Sequence, residues 1–563
     1  DRRYALGVIP TYSLVDTCAA EFEAKTPYYY STYETYDERQ ENAKESIMIL
    51  GSGPNRIGQG IEFDYCCVHA SFAIREAGYT SIMVNSNPET VSTDFDCSDR
   101  LFFEPVTVED VLAIYRAEKP KGVIVQLGGQ TPLNLVSELS AAGVPILGTS
   151  PDSIDWCEDR ERTKQLLDQC GLKQPNSAMA ATVEGAIAAA ESVQYPVLVR
   201  PSYVIGGTAM RVIQTEEDLT HYMHEYMAGP MQKNPVLIDQ YLERSIEADV
   251  DCIGDGTDAI VIGILQHVEP AGVHSGDSTC VFPPFSIAES MQKSMRAAAV
   301  SLAKALGVVG LMNVQFAIKN DALYVLEVNP RASRTVPFIA KASGVPWVKY
   351  ATRVMVGETL QSMGIAEVIP SYYTVKEAVF PFNKFSDTDT LLSPEMKSTG
   401  EVMGIDKTVS QAFLKAQVAT RQNTLSLENP TPKAVFVTVN DRDKPFALAY
   451  VNQLVQLGVT IYATQGTHDF LNNHGIVSER VYKIADQADT SSLTLVEQEK
   501  IDWVVNTGAH HNVDDERILR RAVLEYQIPF ISTIEGFGML VQAVVDAQSA
   551  FDVQSIQSYY AQN

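Results

Sequence analysis

Polar side chains recur in two neighbouring segments that otherwise have the composition of β-strands. Residues 311–318 (LMNVQFAI) and 323–329 (LYVLEVN) are joined by residues 319–322 (KNDA), a composition typical of a turn. Because alternate residues of a strand share a face, each segment is predicted to present one apolar and one polar face. The polar faces carry Asn313 and Gln315 in the first segment and Glu327 and Asn329 in the second. One carboxylate and three amides supply the oxygen ligands that a hard cation such as Mg²⁺ prefers.

The loop length decides which of these side chains meet. A three-residue loop at 320–322 would place Gln315 opposite Glu327 and Asn313 opposite Asn329. The residues predicted to face the core are then Met312, Val314, Phe316, Ile318, Tyr324, Leu326 and Val328.

Two arginines follow the hairpin at once. Arg331 and Arg334 are suited to holding a carboxylate or a phosphate by paired hydrogen bonds. A purely structural polar network between the strands is the alternative interpretation. Polar residues this dense, followed by two arginines, favour a magnesium–phosphate site over that network.

Strand–helix alternation in the first part of the chain predicts the framework for such a site. From Ser46 onward, short apolar strands (SIMILGSG, TSIMVNSN, GVIVQLGGQ) alternate with helices predicted near 67–78 and at 108–118. This pattern is typical of a parallel, doubly wound sheet. Residues 1–43 are predicted to be irregular or helical.

The rest of the chain divides into a mixed region and a second alternating region. A charged helix at 159–169, strands at 195–200 and 236–242, and the polar hairpin indicate an α+β region. A helix near 410–421 is predicted to be a linker, and a fresh strand–helix alternation from Ala434 predicts a last compact α/β domain.

The composition indicates which partners and which state of the cysteines to expect. The formal net charge of −27 argues against nucleic acid as the main partner, because binding a phosphate backbone needs a basic surface. No apolar run approaches the length of a membrane span, so no membrane partner is expected. The eight cysteines form no CxxC or Cys/His cluster, which favours free thiols in a reducing cytosol.

Three glycine-containing loops are weak signals when each is taken alone. Residues 51–58 (GSGPNRIG) are similar to a dinucleotide fingerprint, but the third glycine is displaced. Arg200 followed by residues 201–207 (PSYVIGG) suits a triphosphate, although a hairpin with a surface arginine explains that loop equally well. Residues 272–278 (GVHSGDS) are polar, but a single histidine, His274, is more often structural than catalytic.

Taken in chain order, these segments resemble the large subunit of carbamoyl-phosphate synthase, specifically its C-terminal half. The segments that carry the resemblance are GPNRIGQGIEFDYCC, NPETVSTD, QLGGQTP, PSYVIGG, AGVHSGDS, LMNVQF and EVNPRASRTVPF, and the resemblance runs essentially from end to end. It implies an α/β and α+β multidomain fold with a pre-ATP-grasp parallel sheet, an ATP-grasp domain and a C-terminal methylglyoxal-synthase-like α/β domain.

The resemblance also implies domain boundaries. These are the tail of an oligomerisation domain and a linker (1–43), a Rossmann-like pre-ATP-grasp domain (44–157), the ATP-grasp domain (158–405), a linker helix (406–428) and an allosteric domain (429–563). Since the chain opens with Asp1 and a segment similar to a domain tail, we expect it to be a fragment of a longer protein.

The activity implied by the resemblance is ATP-dependent phosphorylation of carbamate, giving carbamoyl phosphate and ADP, at the second ATP site of the glutamine-hydrolysing enzyme. The implied cofactors are ATP/ADP and Mg²⁺ or Mn²⁺, with K⁺ as a further cation. The implied partners are the N-terminal half of the same large subunit, a glutamine amidotransferase small subunit, a nucleotide monophosphate effector and ornithine. The implied location is the cytoplasm, and the product would feed pyrimidine and arginine biosynthesis.

The resemblance assigns roles to individual residues. The residues implied to bind the nucleotide are Arg160, Arg200, Gly206, Gly207, Gln240, Leu242, Glu247, Gly272, Val273, His274, Ser275, Gln315 and Glu327. The implied metal ligands are Gln315, Glu327 and Asn329, and the implied catalytic residues are Arg331, Arg334 and His274, with the two arginines holding carbamate. Thr208 stands where many relatives have arginine, which is expected to weaken phosphate binding.

Two effector sites are implied as well. The residues at nucleotide-effector positions are Thr438, Lys444, Thr464, Thr467, Lys483 and Asn506, and those at ornithine positions are Glu269, Asp277 and Glu377. Phe530 replaces a tyrosine and Ser532 a threonine near the ornithine positions, so the effector that acts here stays open.

Two other functions are compatible with parts of the sequence. Another ATP-grasp carboxylate ligase, such as a biotin-carboxylase relative, would need a different acceptor pocket, and the ASRT segment after Arg331 speaks for carbamate. A silent regulatory subunit would bind nucleotide without catalysis. Such a subunit has no physical need for the polar residues of the hairpin or for the two arginines.

Overall fold

A computed structural model of the protein describes residues 2–22, 26–40, 44–56, 60–201, 209–228, 235–385, 390–484, 491–507, 514–547 and 553–561. The chain divides into two compact units. The first unit consists of Asp1–Asn176, Glu247–Ile264 and Ile287–Ile369, and the second of Ser177–Ile246, Leu265–Ser286 and Pro370–Asn563.

The first half of the chain contains the following elements. Up to residue 176 they are β1 (Thr11–Leu14), β2 (Tyr28–Thr32), β3 (Ser46–Leu50), β4 (Thr80–Val84), β5 (Arg100–Phe102), β6 (Val123–Ile124) and β7 (Ile146–Leu147), with α1 (Arg2–Ala5), α2 (Glu62–Glu76), α3 (Val108–Glu118), α4 (Gln130–Leu133), α5 (Val136–Ala141), α6 (Pro151–Glu158) and α7 (Arg160–Gln169). From residue 177 to 306 they are β8 (Ser177–Ala180), β9 (Val197–Pro201), β10 (Arg211–Ile213), β11 (Val236–Gln240), β12 (Ile246–Asp255), β13 (Ala259–His267) and β14 (Cys280–Phe282), with α8 (Val183–Val193), α9 (Glu216–Ala228) and α10 (Glu289–Leu306).

The second half contains the remaining elements. From residue 307 to 428 they are β15 (Val309–Lys319), β16 (Ala322–Asn329), β17 (Tyr373–Val379) and β18 (Gly400–Asp406), with α11 (Thr335–Ser343), α12 (Trp347–Met355), α13 (Leu360–Met363) and α14 (Val409–Ala419). From residue 429 onward they are β19 (Ala434–Thr438), β20 (Thr460–Thr464), β21 (Glu479–Val481), β22 (Trp503–Asn506) and β23 (Phe530–Ile531), with α15 (Lys444–Gln456), α16 (Gln465–Asn473), α17 (Ser492–Glu497), α18 (Asp514–Glu525), α19 (Ile534–Asp546) and α20 (Ile556–Tyr560).

A parallel sheet organises the first part of the first unit. Its described strands lie in the order β1-β2-β5-β4-β3-β6-β7, and all neighbouring pairs are parallel except β1 with β2. The apolar strand β3 (SIMIL) is buried along its whole length, as expected where helices cover both faces of a parallel sheet. The predicted doubly wound sheet is confirmed.

The prediction for residues 1–43 was wrong in one respect, because β1 and β2 extend this sheet. Tyr12 and Tyr29 are buried, and their rings lie 5.0 Å and 5.3 Å from the ring of Phe102 in β5. Aromatic residues favour strands, but the strand that β2 pairs with lies about seventy residues further along the chain, at Leu101 and Phe102.

The hairpin of β15 and β16 has the predicted pairing at its polar end. Asn313 lies opposite Asn329 and Gln315 lies opposite Glu327. The loop, however, has two residues and not three, since Lys319 pairs with Ala322. Asn320 and Asp321 both have positive φ, the conformation of a two-residue type I′ turn, which both residue types tolerate.

A β-bulge reconciles this short loop with the predicted pairing. The register shifts between Gln315 and Phe316, so that one extra residue is accommodated in β16. The bulge also changes which side chains are buried: Val325 belongs to the core cluster, whereas Tyr324 and Leu326 were predicted to face it and do not. Val328 belongs to the cluster as predicted. The core positions of Met312, Val314 and Phe316 are confirmed.

Within the first unit, β12 lies next to β15, in the order β16-β15-β12. The apolar side of α10 packs on these strands through Met295, Ala299 and Leu302, and α7 adds Leu166 and Leu167 to the same core. This packing joins β12 and the hairpin to one hydrophobic core, and a site built on packed elements is held more precisely than one on a loop.

The second unit contains three smaller sheets or parts of sheets. The described strands β10-β9-β11-β8 form an antiparallel sheet whose core includes residues of α8 and α9. The last residues of β13 pair with β14, β14 pairs with β17, and β17 pairs with β18. The described strands β21-β20-β19-β22-β23 are all parallel, which confirms the predicted last α/β domain.

Among the described residues, no helix is both long and apolar enough to cross a membrane.

Candidate active site

The polar face of the β15–β16 hairpin carries side-chain oxygens that are exposed or half-buried. Glu327 is exposed, and Gln315 and Asn329 are half-buried. The donors are one carboxylate and two amides with no histidine or cysteine among them, which fits Mg²⁺ or Mn²⁺ and not a soft metal. The predicted metal ligands Gln315, Glu327 and Asn329 therefore lie together, on paired strands.

Asn313 does not belong to this open set. It is buried, and its side-chain amide donates to Asp251 at 3.1 Å and to Asp249 at 3.4 Å, both on β12. The polar face thus splits into an outer part with three oxygen ligands and an inner part that is hydrogen-bonded to β12.

Arg331 is held by its own surroundings. Its guanidinium donates to Asn329 Oδ1 at 3.0 Å and to the carbonyl of Ala332 at 2.9 Å, and it lies 5.7 Å from the ring centre of Phe63 in α2. Burial lowers the pKa of Arg331, while the nearby carboxylates of Glu327 and Glu158 act in the opposite direction. A guanidinium fixed in this way offers its remaining N–H groups to an anion in one orientation.

Arg334 precedes α11 and borders Gly60. A Cβ atom placed on Gly60 would lie 3.0 Å from Arg334 Nε and would overlap Glu62 Oε2. A larger residue at this position would require the side chains of Glu62 and Arg334 to move. Glu62 Oε2 is buried and has no hydrogen-bond partner among the described residues. Sequence reasoning missed Glu62, because nothing in the segment GQGIEFD singles out this carboxylate.

The residues implied to contact phosphates lie in both units. Arg160 opens α7 in the first unit and is exposed. Arg200 lies on β9 in the second unit and forms an ion pair with Asp239 at 2.8 Å, while its buried Nε has no hydrogen-bond partner among the described residues. Gly206, Gly207 and Thr208 lie outside the described residues.

In the second unit, the structure brings the implied adenine segment next to the implied second loop. Between Gln240, at the end of β11, and the buried Leu242 lies Tyr241, whose hydroxyl donates to the carbonyl of Ala271. A Cβ atom on Gly272 would lie 2.9 Å from the Tyr241 ring, and Gly272 has a φ of +92°, so only glycine fits there. Glu247, by contrast, belongs to the first unit, where it is half-buried on β12.

His274 is fixed within its loop. Its Nδ1 accepts a hydrogen bond from the backbone N–H of Gly276 at 3.0 Å, and the backbone N–H of His274 donates to the carbonyl of Ser393 at 2.9 Å. Lys376 donates to the carbonyls of Ser275 and Gly276, each at 3.2 Å. Val273 is buried beside this turn.

Two of the three residues at ornithine positions, Glu269 and Glu377, contact the same hydroxyl group. The hydroxyl of Thr279 lies 2.9 Å from a carboxyl oxygen of Glu269 and 2.9 Å from one of Glu377. Asp277 is engaged elsewhere, since its carboxylate accepts from the N–H groups of Lys397 and Ser398. A hydroxyl has one proton to donate, so both contacts with Thr279 are hydrogen bonds only when one of the carboxyl groups carries a proton. Burial raises the pKa of Glu377, and the neighbouring Glu269 raises it further; burial also raises the pKa of Glu269.

This pair predicts a pH-dependent stability. The folded state holds a proton at a pH where the unfolded chain, with an ordinary glutamate pKa, has lost it. The contribution to the free energy of unfolding is therefore present at low pH and lost as pH rises through the raised pKa, by at most about 1.4 kcal/mol per pH unit for one proton. Glu377→Gln, which stays neutral at every pH, is expected to flatten the fall in Tm between pH 6 and pH 9.

The matched control is Glu428→Gln, which removes an exposed carboxylate of the second unit. This variant is expected to follow the unmodified protein at every pH. If the curves of Tm against pH for Glu377→Gln and the unmodified protein run parallel, the shared proton is not present.

The implied nucleotide-effector residues surround a cavity in the last α/β domain. The cavity has a volume of about 450 Å³, and its lining includes Thr438, Lys444, Thr464, Thr467 and Lys483. Asn506 does not line it, but is buried next to it, paired with Thr438 across β22 and β19. The lining also contains Arg480, whose guanidinium lies 4.5 Å from the ring centre of Tyr482, and neither residue was predicted.

Family models match most of these regions. Residues 43–156 match the carbamoyl phosphate synthase pre-ATP-grasp domain, residues 159–363 match the ATP binding domain of the carbamoyl-phosphate synthase L chain, and residues 447–532 match the MGS-like domain.

Curated relatives match the chain along nearly its whole length. The carbamoyl phosphate synthase large chain of Pasteurella multocida is 51% identical over 547 residues, which is 97% of this chain and 51% of the relative. That of Neisseria meningitidis serogroup B is 49% identical over 563 residues, which is 100% of this chain and 52% of the relative. The chain spans about half the length of the curated relatives it matches.

Solved structures with a similar fold are more distant. A biotin carboxylase from Campylobacter jejuni has a TM-score of 0.51 at 17% identity, with 66% of this chain and 90% of that chain covered. An N5-carboxyaminoimidazole ribonucleotide synthetase has a TM-score of 0.51 at 15% identity, with 67% and 96% covered. At this identity the likeness shows a shared fold alone.

The resemblance read from the motifs is thus confirmed by matches of about 50% identity. The chain is a homologue of the carbamoyl phosphate synthase large chain, with its pre-ATP-grasp, ATP-grasp and MGS-like domains.

Proposed function

We propose that this chain phosphorylates carbamate with ATP, giving carbamoyl phosphate and ADP, as the second ATP site of a glutamine-hydrolysing carbamoyl phosphate synthase. The observation that carries the proposal is the β15–β16 hairpin: its open face offers Gln315, Glu327 and Asn329, and its next residues include the fixed guanidinium of Arg331. A hard cation and a small planar acid are the ligands that suit these two neighbouring sets of donors.

The chemistry of the proposed step is positional and electrostatic. A carbamate oxygen attacks the γ-phosphorus in line, the new O–P bond forms, and the bond to the ADP oxygen breaks. Arg331, held by Asn329 and Ala332, orients the acid, and Arg334 adds a second guanidinium at Gly60. Mg²⁺ held by Gln315, Glu327 and Asn329 would neutralise charge on phosphate oxygens. Because the donors are fixed before the reaction, little reorganisation is needed in the transition state.

Each residue implied to bind the nucleotide has its own proposed contact. Arg160 and Arg200 are proposed to contact phosphates, Gln240 and Leu242 the adenine, and Glu247 the ribose, with loop 272–275 as a further nucleotide contact. The buried Nε of Arg200, which has no hydrogen-bond partner among the described residues, supports an anionic ligand there, since leaving such an N–H unpaired is costly.

The test is the reverse reaction, because it needs neither glutamine nor a second subunit. The purified chain is expected to form ATP from ADP and carbamoyl phosphate when Mg²⁺ or Mn²⁺ is added, and to form none when the metal is removed with a chelator. A chain that folds, as judged by a cooperative melting transition, but forms no ATP would favour a silent nucleotide-binding subunit instead.

Other chains and ligands are expected to complete the enzyme. We propose as partners an N-terminal half-chain and a glutamine amidotransferase subunit, since the chain spans only half of its relatives. The cavity with Lys444 and Lys483 supports a nucleotide monophosphate effector, and the pair Glu269 and Glu377 supports the ammonium group of ornithine. K⁺ is proposed as an additional cation.

Boundaries, compartment and pathway belong to the same proposal. The predicted limits of the domains, 44–157, 158–405 and 429–563, are kept, with 1–43 and 406–428 as the tail and linker. The free state of the cysteines supports a reducing, cytoplasmic compartment. The product is proposed to enter pyrimidine and arginine biosynthesis.

A further inference from the structure

The loop between β16 and α11 carries Arg331 and Arg334, and the residues around them are anchored from two directions. The first anchor is Gln126, a fully buried residue that follows β6. Its side-chain amide donates to the carbonyl of Pro330 at 2.6 Å, and its backbone carbonyl accepts from the N–H of Ala332 at 2.9 Å. Gln126 is itself fixed, because its Oε1 accepts from the N–H of Thr149 at 2.8 Å.

The second anchor is Asp251 on β12, whose side chain is completely buried. Its carboxyl group accepts hydrogen bonds from the hydroxyls of Ser333, at 2.6 Å, and Thr335. The same carboxyl group accepts from Asn313 Nδ2 at 3.1 Å, so that it joins the loop to the hairpin.

Ser333 also fixes the first turn of α11. Its hydroxyl oxygen accepts from the N–H groups of Thr335 and Val336, each at 3.2 Å, at the start of α11. Asp251 therefore fixes both the loop and the first turn of the helix that follows Arg334.

Burying the carboxyl group of Asp251 costs free energy, and packing alone would not require a carboxyl group at this position. Burial raises the pKa of Asp251 to about 7 in spite of its hydrogen bonds, so holding it ionised at this depth costs free energy. Among the described residues, the hydrogen-bond donors to its carboxyl group are Ser333 and Thr335 of the arginine loop and Asn313 of the hairpin.

We infer that Asp251 is a positioning residue for the acid-binding arginines: through Ser333 and Thr335 it holds the loop in the one conformation in which Arg331 and Arg334 receive carbamate or the carbamoyl group. Gln126 holds the same loop from its other anchor, through the hydrogen bonds with Pro330 and Ala332. This inference rests on the proposed function, and it assigns to Asp251 no contact with substrate, nucleotide or metal.

The test uses Thr335, since its hydroxyl can be removed without changing the size of the side chain. Thr335→Val loses the hydrogen bond to Asp251, and Thr335→Ser keeps it. In the reverse reaction, Thr335→Val is expected to lower kcat/KM for carbamoyl phosphate by about tenfold, the effect of one hydrogen bond to a charged group. The KM for ADP is expected to stay within about twofold, and Thr335→Ser to recover most of the loss.

The matched control is Thr352→Val in the same unit. Thr352 is fully buried, and its hydroxyl donates to the carbonyl of Val348 at 2.8 Å, away from the loop. This variant is expected to lower Tm by a similar amount and to leave the KM for carbamoyl phosphate unchanged.

Ser333→Ala is the second loop variant, should Thr335→Val not fold. In an Asp251→Asn background, Thr335→Val is expected to add little, because the partner of its hydroxyl is already altered.

Each outcome decides between the two levels of the proposal. An unmodified chain that forms no ATP overturns the proposed function and, with it, this inference. An active chain in which Thr335→Val or Ser333→Ala matches Thr352→Val in every kinetic constant overturns the inference alone.

Discussion

Glu327→Gln is expected to reduce ATP formation from ADP and carbamoyl phosphate by roughly 10²–10³-fold, the usual effect of removing one group that stabilises transition-state charge. Glu327 is the single carboxylate in the predicted ligand set and is exposed on the open face of the hairpin. An amide in its place keeps the shape of the side chain and loses the negative charge that attracts Mg²⁺. The concentration of Mg²⁺ that gives half-maximal activity is expected to rise.

The fold is expected to tolerate this change. Gln315 lies directly opposite, and two glutamines can hydrogen-bond across the strands as readily as glutamine and glutamate. The control is Asp321→Asn, which removes the same charge at the far end of the same hairpin. Asp321 has a φ of +58°, a conformation that asparagine also adopts, so this variant is expected to keep full activity.

Two results would contradict the metal site. One is a folded Glu327→Gln protein with activity within about threefold of the unmodified chain. The other is equal loss of activity in Glu327→Gln and Asp321→Asn, because a general effect of charge would then explain both.

The hairpin shows why this site could be predicted from the sequence. Strand alternation and a turn composition were enough to place Gln315 opposite Glu327, since both signals are local. The details of loop and bulge were not predictable, because a two-residue loop with a bulge and a three-residue loop without one give the same pairing at the polar end. The two arrangements differ only between the bulge and the loop, where Val325 is buried in place of Tyr324 and Leu326.

Contacts between distant parts of the chain could not be predicted. Asp251 and Ser333 are separated by 82 residues, and Gln126 and Pro330 by 204. Each residue type is compatible with many roles, and the sequence around it gives no sign of its partner. The ion pair of Arg200 with Asp239 was missed for a related reason: the residues lie on neighbouring strands whose pairing no local pattern specifies.

The implied effector residues illustrate an intermediate case. The resemblance named five residues that line one cavity, although they come from β19, α15, β20, α16 and the segment after β21. It did not name Arg480 or Tyr482, which line the same cavity. A resemblance transfers positions that match a motif, whereas other side chains that line the cavity are identified only from the structure.

Arg331→Lys is expected to lower kcat for ATP formation by roughly 10²–10³-fold, although the positive charge is kept. Arg331 donates to Asn329 from one terminal nitrogen and to Ala332 from the other, which holds the guanidinium plane in place. Lysine has a single nitrogen, so it cannot reach both acceptors and also present a planar pair of donors to a carbamoyl group. Burial lowers the pKa of Arg331, and the same burial acting on lysine would bring its lower pKa closer to neutrality.

Arg353→Lys is the matched control, because Arg353 forms a two-point ion pair with Glu358 in the same unit, at 2.7 Å and 2.6 Å, in a half-exposed position. Exposed ion pairs contribute little, so this variant is expected to keep its activity within about twofold. If Arg331→Lys retained more than about a third of the activity, then positive charge alone would be sufficient at this position. The fixed orientation of the guanidinium, on which the carbamate assignment depends, would then have no role in the reaction.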